Sequence, residues 1–242
     1  MAMLVVLRSF IYMVFLSLTT LAIAPSLYVL KWVIPFPMLA KLGKLWGRIN
    51  LEAVGVICGL RYRIHGWEKL PRENCIVLSK HQSAWETIAL RGLLPATNTW
   101  VIKRELLWIP LFGWGMAALD PIALDRKAGR QAIKQLLQEG RQSLEAGRWV
   151  VIFPEGTRTA PGEHIKYNLG GAMLAEKTGY PILPIAHNAG VFWRRRGLHK
   201  YPGVIDLVIG DPIPTQGLKA NEINRRVEEW IEGTVASLPQ TR

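Results

Sequence analysis

The sequence predicts an α/β fold, with a mixed, mostly parallel sheet flanked by helices and with an N-terminal membrane-inserted helical segment. From about residue 60 onward, short apolar runs that suit strands alternate with stretches of helical periodicity, which is typical of a sheet covered by helices. Before that point, the 22 residues between Arg8 and Lys31 carry no charge, and about 20 apolar residues can span a bilayer as a helix. With 242 residues, the chain is long enough for one α/β domain with a substantial core.

The chain is strongly basic and rich in tryptophan. Its 30 Lys and Arg against 18 Asp and Glu give a net charge of +12, which favours an anionic partner such as nucleic acid, lipid headgroups or a phosphorylated substrate. The ten Trp favour a lipid surface among these, because Trp concentrates where lipid meets water. Two cysteines, Cys58 and Cys75, are too few for a disulfide scaffold or a Cys-based zinc site, and their apolar surroundings predict buried free thiols.

The uncharged N-terminal run permits two membrane geometries. It can form a tilted transmembrane helix, or it can combine with a second apolar stretch at 32–39 into a shallow helical hairpin in one leaflet, with Pro25 kinking the first helix. A cleaved signal peptide is disfavoured, because apolar sequence continues beyond the Ala-Ile-Ala site at 22–24. The basic residues after the run predict that the rest of the chain lies in the cytoplasm. We therefore expect a membrane-associated helical segment at 1–58 and a second domain at 59–242.

The remaining elements follow in order along the chain. Apolar residues at helical spacing predict an amphipathic helix at 41–60. Strand-forming residues bounded by turn residues predict strands at 62–65, 75–79, 99–102, 116–119, 149–153, 182–185 and 204–209. Between and after these strands, apolar stripes predict helices at 84–92, 126–146, 169–178 and 221–238.

His81 is the first candidate for chemistry. It follows the predicted strand 75–79, and the loop after a strand is where an α/β sheet places its ligands. Glu86 lies five residues further on, so the two side chains would point about 140° apart within one helix but could meet if His81 lay in the loop before it. The Ser83-x-x-Glu86 spacing of a capping box predicts that break. Two interpretations stay open: Glu86 only caps the helix, or it also orients the His81 ring and stabilises the imidazolium formed when His81 deprotonates a hydroxyl.

A second candidate site follows the predicted strand 149–153, in Phe153-Pro-Glu-Gly-Thr-Arg158. Gly156 permits close approach of the backbone to a ligand, and Thr157 adds a hydroxyl. The Arg158 guanidinium suits a bidentate contact with phosphate. The alternative is an ordinary turn with a solvated arginine.

Other sites for chemistry or anions give weaker signals. Lys103 and Arg126 are lesser anion sites, and a basic, aromatic patch at 193–201 favours contact with a membrane surface over nucleic acid. The five His form no H-E-x-x-H motif or ligand cluster, so we expect no metal site. Covalent catalysis is disfavoured, because Ser83 lacks a G-x-S-x-G elbow and neither cysteine lies near a histidine in the sequence.

Together the motifs resemble those of the glycerolipid acyltransferase family. The first is His81, four residues, then Glu86, where the family usually has Asp. The second is Pro121-Ile-Ala-Leu-Asp-Arg126, and the third is the complete run from Phe153 to Arg158. The fourth is Ile182-Leu-Pro-Ile-Ala-His-Asn188, which contains Pro184. The resemblance runs from about residue 60 to 210, and the order and spacing of four motifs make it specific.

The resemblance implies a reaction, which is the transfer of a fatty acyl group from acyl-CoA or acyl carrier protein to the sn-2 hydroxyl of lysophosphatidic acid. His81 would be the general base and Glu86 its partner, and Arg158, with Lys103 and Arg126, would bind the glycerol phosphate. The residues that support the motifs would be Glu155, Gly156, Thr157 and Pro184.

The family implies no metal, no cofactor and no acyl-enzyme intermediate. Its members further imply a bacterial inner membrane location, with the catalytic domain on the cytoplasmic side and the lipid bilayer, not nucleic acid, as partner. Another lysolipid acceptor is the alternative within the same chemistry. A non-enzymatic lipid binder is disfavoured, because the histidine and the acid of the first motif are both present.

Overall fold

The structure, a computed structural model, describes residues 2–241. It begins with two long helices, α1 (Ala2–Leu30) and α2 (Phe36–Cys58). The two helices run antiparallel, since the Tyr12 hydroxyl donates to the backbone oxygen of Asn50 while Leu27 packs near Leu39. Pro25 lies inside α1 and does not end it.

Seven strands and six further helices follow. In chain order they are β1 (Leu60–His65), β2 (Ile76–Ser79), α3 (Trp85–Leu93), β3 (Asn98–Lys103), α4 (Phe112–Ala118), β4 (Ile122–Leu124), α5 (Arg130–Glu145), β5 (Trp149–Ile152), α6 (Gly170–Thr178), β6 (Ile182–His187), α7 (Ala189–Phe192), β7 (Gly203–Ile209) and α8 (Ala220–Ser237). Short 3-10 turns lie at Trp67–Lys69, Arg104–Trp108 and Arg126–Ala128.

The strands form one mixed sheet in the order β1-β7-β6-β2-β5-β3-β4. Neighbouring strands are parallel except for β6 and β7, which pair antiparallel. The carboxyl ends of β6, β2, β5, β3 and β4 therefore meet at one edge of the sheet. This arrangement confirms the predicted fold class.

The core has a layer on each face of the sheet. Side chains alternate along β2, so Cys75 and Val77 face one cluster and Ile76 and Leu78 face the other. Residues of α1, α2 and α3 fill the first cluster, whereas residues of α5, α6 and α8 fill the second. Cys58 and Cys75 are buried and free, as predicted.

The strand predicted at 116–119 is wrong, because these residues end α4 and the strand comes later, at β4. A four-residue apolar run does not separate strand from helix by its periodicity. Contact with α1 favours the helix: a Cβ on Gly115 would lie 2.5 Å from the Ala24 Cβ. The helix predicted at 126–146 is also divided, because Gly129 has a φ of +52° between a 3-10 turn and α5.

The outer face of α1 is strongly apolar. By length and composition α1 is a helix that could cross a membrane. Phe10 and Leu18 are 65% and 61% exposed, whereas Tyr12, Ala24 and Leu27 are buried against the rest of the chain. One face of α1 is thus part of the protein core and the other presents hydrocarbon.

Candidate active site

The carboxyl ends of β2, β3, β4 and β5 surround a cavity of about 730 Å³. Most of the residues singled out in the sequence line it: His81, Lys103, Arg126, Glu155, Gly156, Thr157 and Arg158. Glu86 is buried behind His81. Pro184 lies inside β6, opposite Leu78 of β2, and is not among the residues that line the cavity.

His81 and Glu86 form a hydrogen-bonded pair. The His81 Nδ1 lies 2.8 Å from the Glu86 Oε1, so the ring donates from Nδ1, and Nε2 makes no hydrogen bond to any described residue. The His81 ring also stacks on Phe153, with 4.0 Å between ring centroids. A histidine held in this tautomer has Nε2 ready to accept a proton.

The same Glu86 oxygen also orders the turn before α3. Oε1 accepts hydrogen bonds from the backbone N–H groups of Gln82 and Ser83, at 2.9 and 2.8 Å, and the Ser83 hydroxyl accepts from the Trp85 N–H. The hydrogen bond between Ser83 and Glu86 expected from the capping box is therefore present together with the contact of Glu86 with the His81 ring, although α3 begins one residue later than expected, with Ala84 at its N-cap.

His187, at the end of β6, faces the other Glu86 oxygen. Its Nε2 donates to the Lys80 backbone oxygen at 2.8 Å, and its Nδ1 accepts from the Ala189 N–H. Burial lowers the pKa of His187, and the facing Glu86 carboxylate opposes this shift. Burial alone would raise the pKa of Glu86, but the facing His187 and the hydrogen bonds from His81 and Ser83 hold it below its usual value.

The backbone of His81 is held on one side by the third motif and on the other by the residue that follows it. The His81 N–H donates to the Glu155 Oε1 at 3.0 Å, and the His81 carbonyl accepts from the N–H and the hydroxyl of Thr159. Glu155 therefore orders the loop that carries His81, and it also borders the cavity. Thr159 lies directly after the motif, and no sequence signal distinguished it.

The turn that carries Arg158 requires glycine. Gly156 has a φ of +70°, a region that other residues rarely adopt, and an added Cβ would lie 3.1 Å from the Asn168 Nδ2. Arg126 donates to the Gly156 carbonyl and so joins the second motif to the third. The Arg158 guanidinium has no hydrogen-bond or ion-pair partner within residues 2–241, and it is a free cation at the cavity wall.

Lys103, another of the cations that line the cavity, is partly neutralised, and much of the remaining wall is apolar. The Lys103 Nζ lies 3.2 Å from Glu105. Helices α1, α2 and α4 contribute Leu27, Trp46 and Met116 to the walls. The described part of the chain contains no group of three or more His, Cys, Asp or Glu that could hold a metal ion.

Comparison with known proteins agrees with this site. A family model described as Acyltransferase matches residues 61–188, which contain all four motifs. A 1-acyl-sn-glycerol-3-phosphate acyltransferase of Pseudomonas aeruginosa is 45% identical over 196 residues, which are 80% of this chain and 76% of that protein. A protein of the same name from Cocos nucifera is 26% identical over 230 residues, which are 94% of this chain and 74% of that protein.

The fold also has a solved counterpart. The crystal structure of the 1-acyl-sn-glycerophosphate (LPA) acyltransferase PlsC from Thermotoga maritima matches with a TM-score of 0.79 at 22% identity, covering 95% of this chain and 94% of that one. The family predicted from the motifs is confirmed: this chain belongs to the acyltransferase family.

Proposed function

We propose that this chain transfers a fatty acyl group from a thioester, either acyl-CoA or acyl carrier protein, to the sn-2 hydroxyl of lysophosphatidic acid, which yields phosphatidic acid. One observation carries the proposal: a paired histidine and an unpaired arginine border the same partly apolar cavity. The names of the Pseudomonas and Cocos relatives agree with this acceptor.

His81 acts as the general base. Its Nε2 takes the proton of the acceptor hydroxyl as the hydroxyl oxygen attacks the thioester carbonyl, and Glu86 stabilises the imidazolium that forms. The thiol then leaves with a proton returned from His81, so the acyl group passes directly to the acceptor without an acyl-enzyme. The N–H groups of residues 81 to 83 already donate to Glu155 and Glu86, and they are therefore not donors to the oxyanion.

Arg158 binds the phosphate of the acceptor. Its guanidinium is free, and an Arg–phosphate fork is a charge-assisted contact that is stronger than a neutral hydrogen bond. Lys103 adds a positive charge, and Arg126 adds another while it fixes the Gly156 carbonyl. The apolar walls from α1, α2 and α4 accommodate a fatty acyl chain.

The N-terminal helices hold the enzyme on its substrate membrane. Ser9 of α1 accepts from the Lys200 N–H at 2.8 Å, and Ala24 of α1 packs on Gly115. These contacts lie roughly 22 Å apart along the helix. Both the first and the second half of α1 are therefore packed against the second domain. We infer that the segment 1–58 inserts into one leaflet as a hairpin, with the domain 59–242 on the cytoplasmic side of the bacterial inner membrane.

An acyl-transfer assay tests the proposal. Purified full-length protein in detergent micelles is given labelled oleoyl-CoA and a panel of lysophospholipids with different headgroups. We expect phosphatidic acid from lysophosphatidic acid as the main product, and we expect folded His81→Ala to lose about 10²-fold or more in kcat. Equal turnover of all acceptors would contradict the assignment of lysophosphatidic acid as the acceptor, and normal turnover by His81→Ala would contradict the mechanism.

A further inference from the structure

Lys80, the residue before His81, lies outside the four motifs and is a fully buried lysine in a charged network. Its side chain is 1% exposed. Its Nζ lies 2.7 Å from the Glu232 Oε1 and 3.4 Å from the Glu155 Oε1. Lys80 is therefore the cation between two carboxylates that come from distant parts of the chain.

Glu232 comes from α8, near the end of the chain. Its Oε1 also accepts a hydrogen bond from the Tyr167 hydroxyl at 2.6 Å. The family model ends at residue 188, so α8 lies outside it. Glu155, on the other side of Lys80, is the residue whose Oε1 accepts the His81 N–H.

We propose that Lys80 and Glu232 are positioning residues for acyl transfer, through which α8 holds Glu155, and hence the His81 backbone, in place. The proposal rests on the proposed function. Glu232 fixes the Lys80 ammonium, Lys80 keeps the Glu155 carboxylate in position, and that carboxylate anchors the loop that presents the His81 ring. None of these three side chains takes or gives a proton in the reaction.

The electrostatics of Glu155 favour this role over simple packing. Burying an ion pair is costly, and an apolar group of the same size would often stabilise a fold as well. Lys80 is the only ion-pair partner of Glu155 among the described residues, and the Glu155 Oε2 has no hydrogen-bond partner there. Without Lys80, the anchor of the His81 N–H would be an unpaired buried carboxylate.

The network also predicts how activity depends on pH. The groups that face Glu155 are Lys80, Glu232 and Tyr167, with the pair of Glu228 and His164 further out on the same side. Burial raises the pKa of Glu155 to about 7, while Lys80 opposes this shift and Glu232 adds to it. Removal of the Lys80 charge therefore raises the pKa of Glu155 further, and removal of the Glu232 charge lowers it.

The test compares Glu232→Gln, Glu232→Asp and Lys80→Met with wild type and with Glu229→Gln, all as full chains in micelles. Glu229 is a matched control, because it lies on the outer face of α8 and Arg225 is its only ion-pair partner among residues 2–241. We expect Glu232→Gln to lose about tenfold in kcat with little change in KM, since a shift of about 1 Å in a catalytic group can cost about 10²-fold. Glu232→Asp should recover part of the loss, and Glu229→Gln should match wild type.

Two further readouts separate positioning from stability. The acid limb of kcat/KM should move to higher pH in Lys80→Met and to lower pH in Glu232→Gln. Hydrogen exchange of the His81 amide should quicken in Lys80→Met and in Glu232→Gln and stay unchanged in Glu229→Gln. This readout needs no substrate, so it does not depend on the identity of the acceptor.

The outcomes are distinguishable. Wild-type kcat and wild-type exchange at His81 in Glu232→Gln would overturn the positioning proposal, as would a lower melting temperature with an unchanged kcat and pH profile. If wild type and Glu229→Gln both failed to acylate lysophosphatidic acid, the proposed function would fall instead. In that case quickened exchange at His81 would still support the anchoring, and unchanged exchange would refute it.

Discussion

A single oxygen of Glu86 serves both the local fold and the candidate chemistry. Oε1 accepts from two backbone amides and from the His81 ring. The first motif therefore does not need a regular helix between its histidine and its acid. The amides of the turn place the carboxylate where the ring can reach it.

Substitution of Glu86 tests whether the pairing matters beyond the cap. Glu86→Gln keeps a side-chain oxygen for the two amides but removes the charge that stabilises the imidazolium, so we expect most of kcat to be lost. Glu86→Asp keeps the negative charge and should retain part of the wild-type kcat. Steady-state kinetics on folded protein measure this, and a fully active Glu86→Gln would leave the cap as the only role.

Glu86 also predicts a pH dependence of stability. Because its pKa in the folded chain lies below its usual value, its ionised form stabilises the fold at pH values above the ordinary Glu pKa of about 4.3. That stabilisation is lost as the pH falls through the lower, folded-state value. Melting temperatures of wild type and Glu86→Gln, measured between neutral and acidic pH, should therefore converge on acidification, and a constant difference would count against this carboxylate.

Arg158 gives the sharpest test of the acceptor. Arg158→Ala should raise KM for lysophosphatidic acid strongly, and Arg158→Lys should raise it less, because Lys keeps the charge but loses the fork. KM for acyl-CoA should change much less in both variants. A two-substrate kinetic matrix measures both constants, and a larger effect on acyl-CoA would reassign Arg158 to the phosphates of the donor.

The sequence was sufficient to predict the site residues that belong to the motifs. It was not sufficient to predict the residues outside the motifs that hold them in place. His81, Glu86 and Arg158 were predicted because they occupy motif positions at strand ends. Lys80 and Glu232 were missed, because they meet across more than 150 positions and no local pattern records such a contact. Thr159 was missed for a related reason, since its role depends on a backbone carbonyl rather than on a spacing.

At the scale of elements, the helical hairpin of α1 and α2 is joined to α3 by a close contact of α2 with α3. A Cβ on Gly47 would lie 2.6 Å from the Gly92 backbone nitrogen. Lys44 and Arg48 of α2 donate to the carbonyl groups that end α3, where cations are favoured by the helix dipole. Since Glu86 lies in the first turn of α3, the hairpin helps to fix the acid of the first motif.

A pair of glycine substitutions on α2 tests this contact. Gly47→Ala should destabilise the protein by about 1–3 kcal/mol, because the added methyl group forces the helix backbones apart. Gly55→Ala is the control on the same helix, because its Cβ would meet only the Leu60 oxygen at 3.7 Å, and Ala in a helix interior should stabilise by about 0.5–1 kcal/mol. Thermal unfolding in detergent compares them, and equal melting temperatures would exclude the tight contact.

The elements that local sequence predicted well show either several turns of an apolar stripe or a short apolar run bounded by turn residues. Helices α5 and α8 show several turns of stripe, and strand β5 is a short buried run bounded by turns. The residues 116–119 were misassigned to a strand because α4 depends on small residues that fit against α1. Such a contact between segments that are distant in the sequence leaves no periodic signal.

At the scale of the whole molecule, α1 is packed on one face and exposes an apolar surface on the other. Its inner face contributes Tyr12 to the core beside Trp193, so α1 and the sheet are parts of one packed structure. Trp193 and Lys200, assigned from sequence to a surface patch, are buried there, while Arg194 to Arg196 stay exposed.

Polar substitutions on the outer face of α1 separate anchoring from folding. The double variant Phe10→Ser/Leu18→Ser should bind anionic vesicles more weakly, with an unchanged kcat on detergent-dispersed substrate, because neither residue lines the cavity. Val204→Ser, at an exposed apolar position on β7, is the control. Vesicle flotation measures binding, and unchanged flotation of the double variant would remove α1 as the anchor.

The position of β1 in the sheet has a consequence for synthesis of the chain. β1 is an edge strand of the sheet, and its one neighbour is β7, with Leu60 opposite Gly203. The first strand to be synthesised therefore cannot pair until the last strand has been synthesised. At about 5–20 residues per second on a ribosome, that wait lasts roughly ten seconds, and pairing over so long a loop is intrinsically slow. The nascent hairpin thus emerges well before the strand that completes its side of the sheet, and an early encounter with the bilayer would shield its apolar face in the interval.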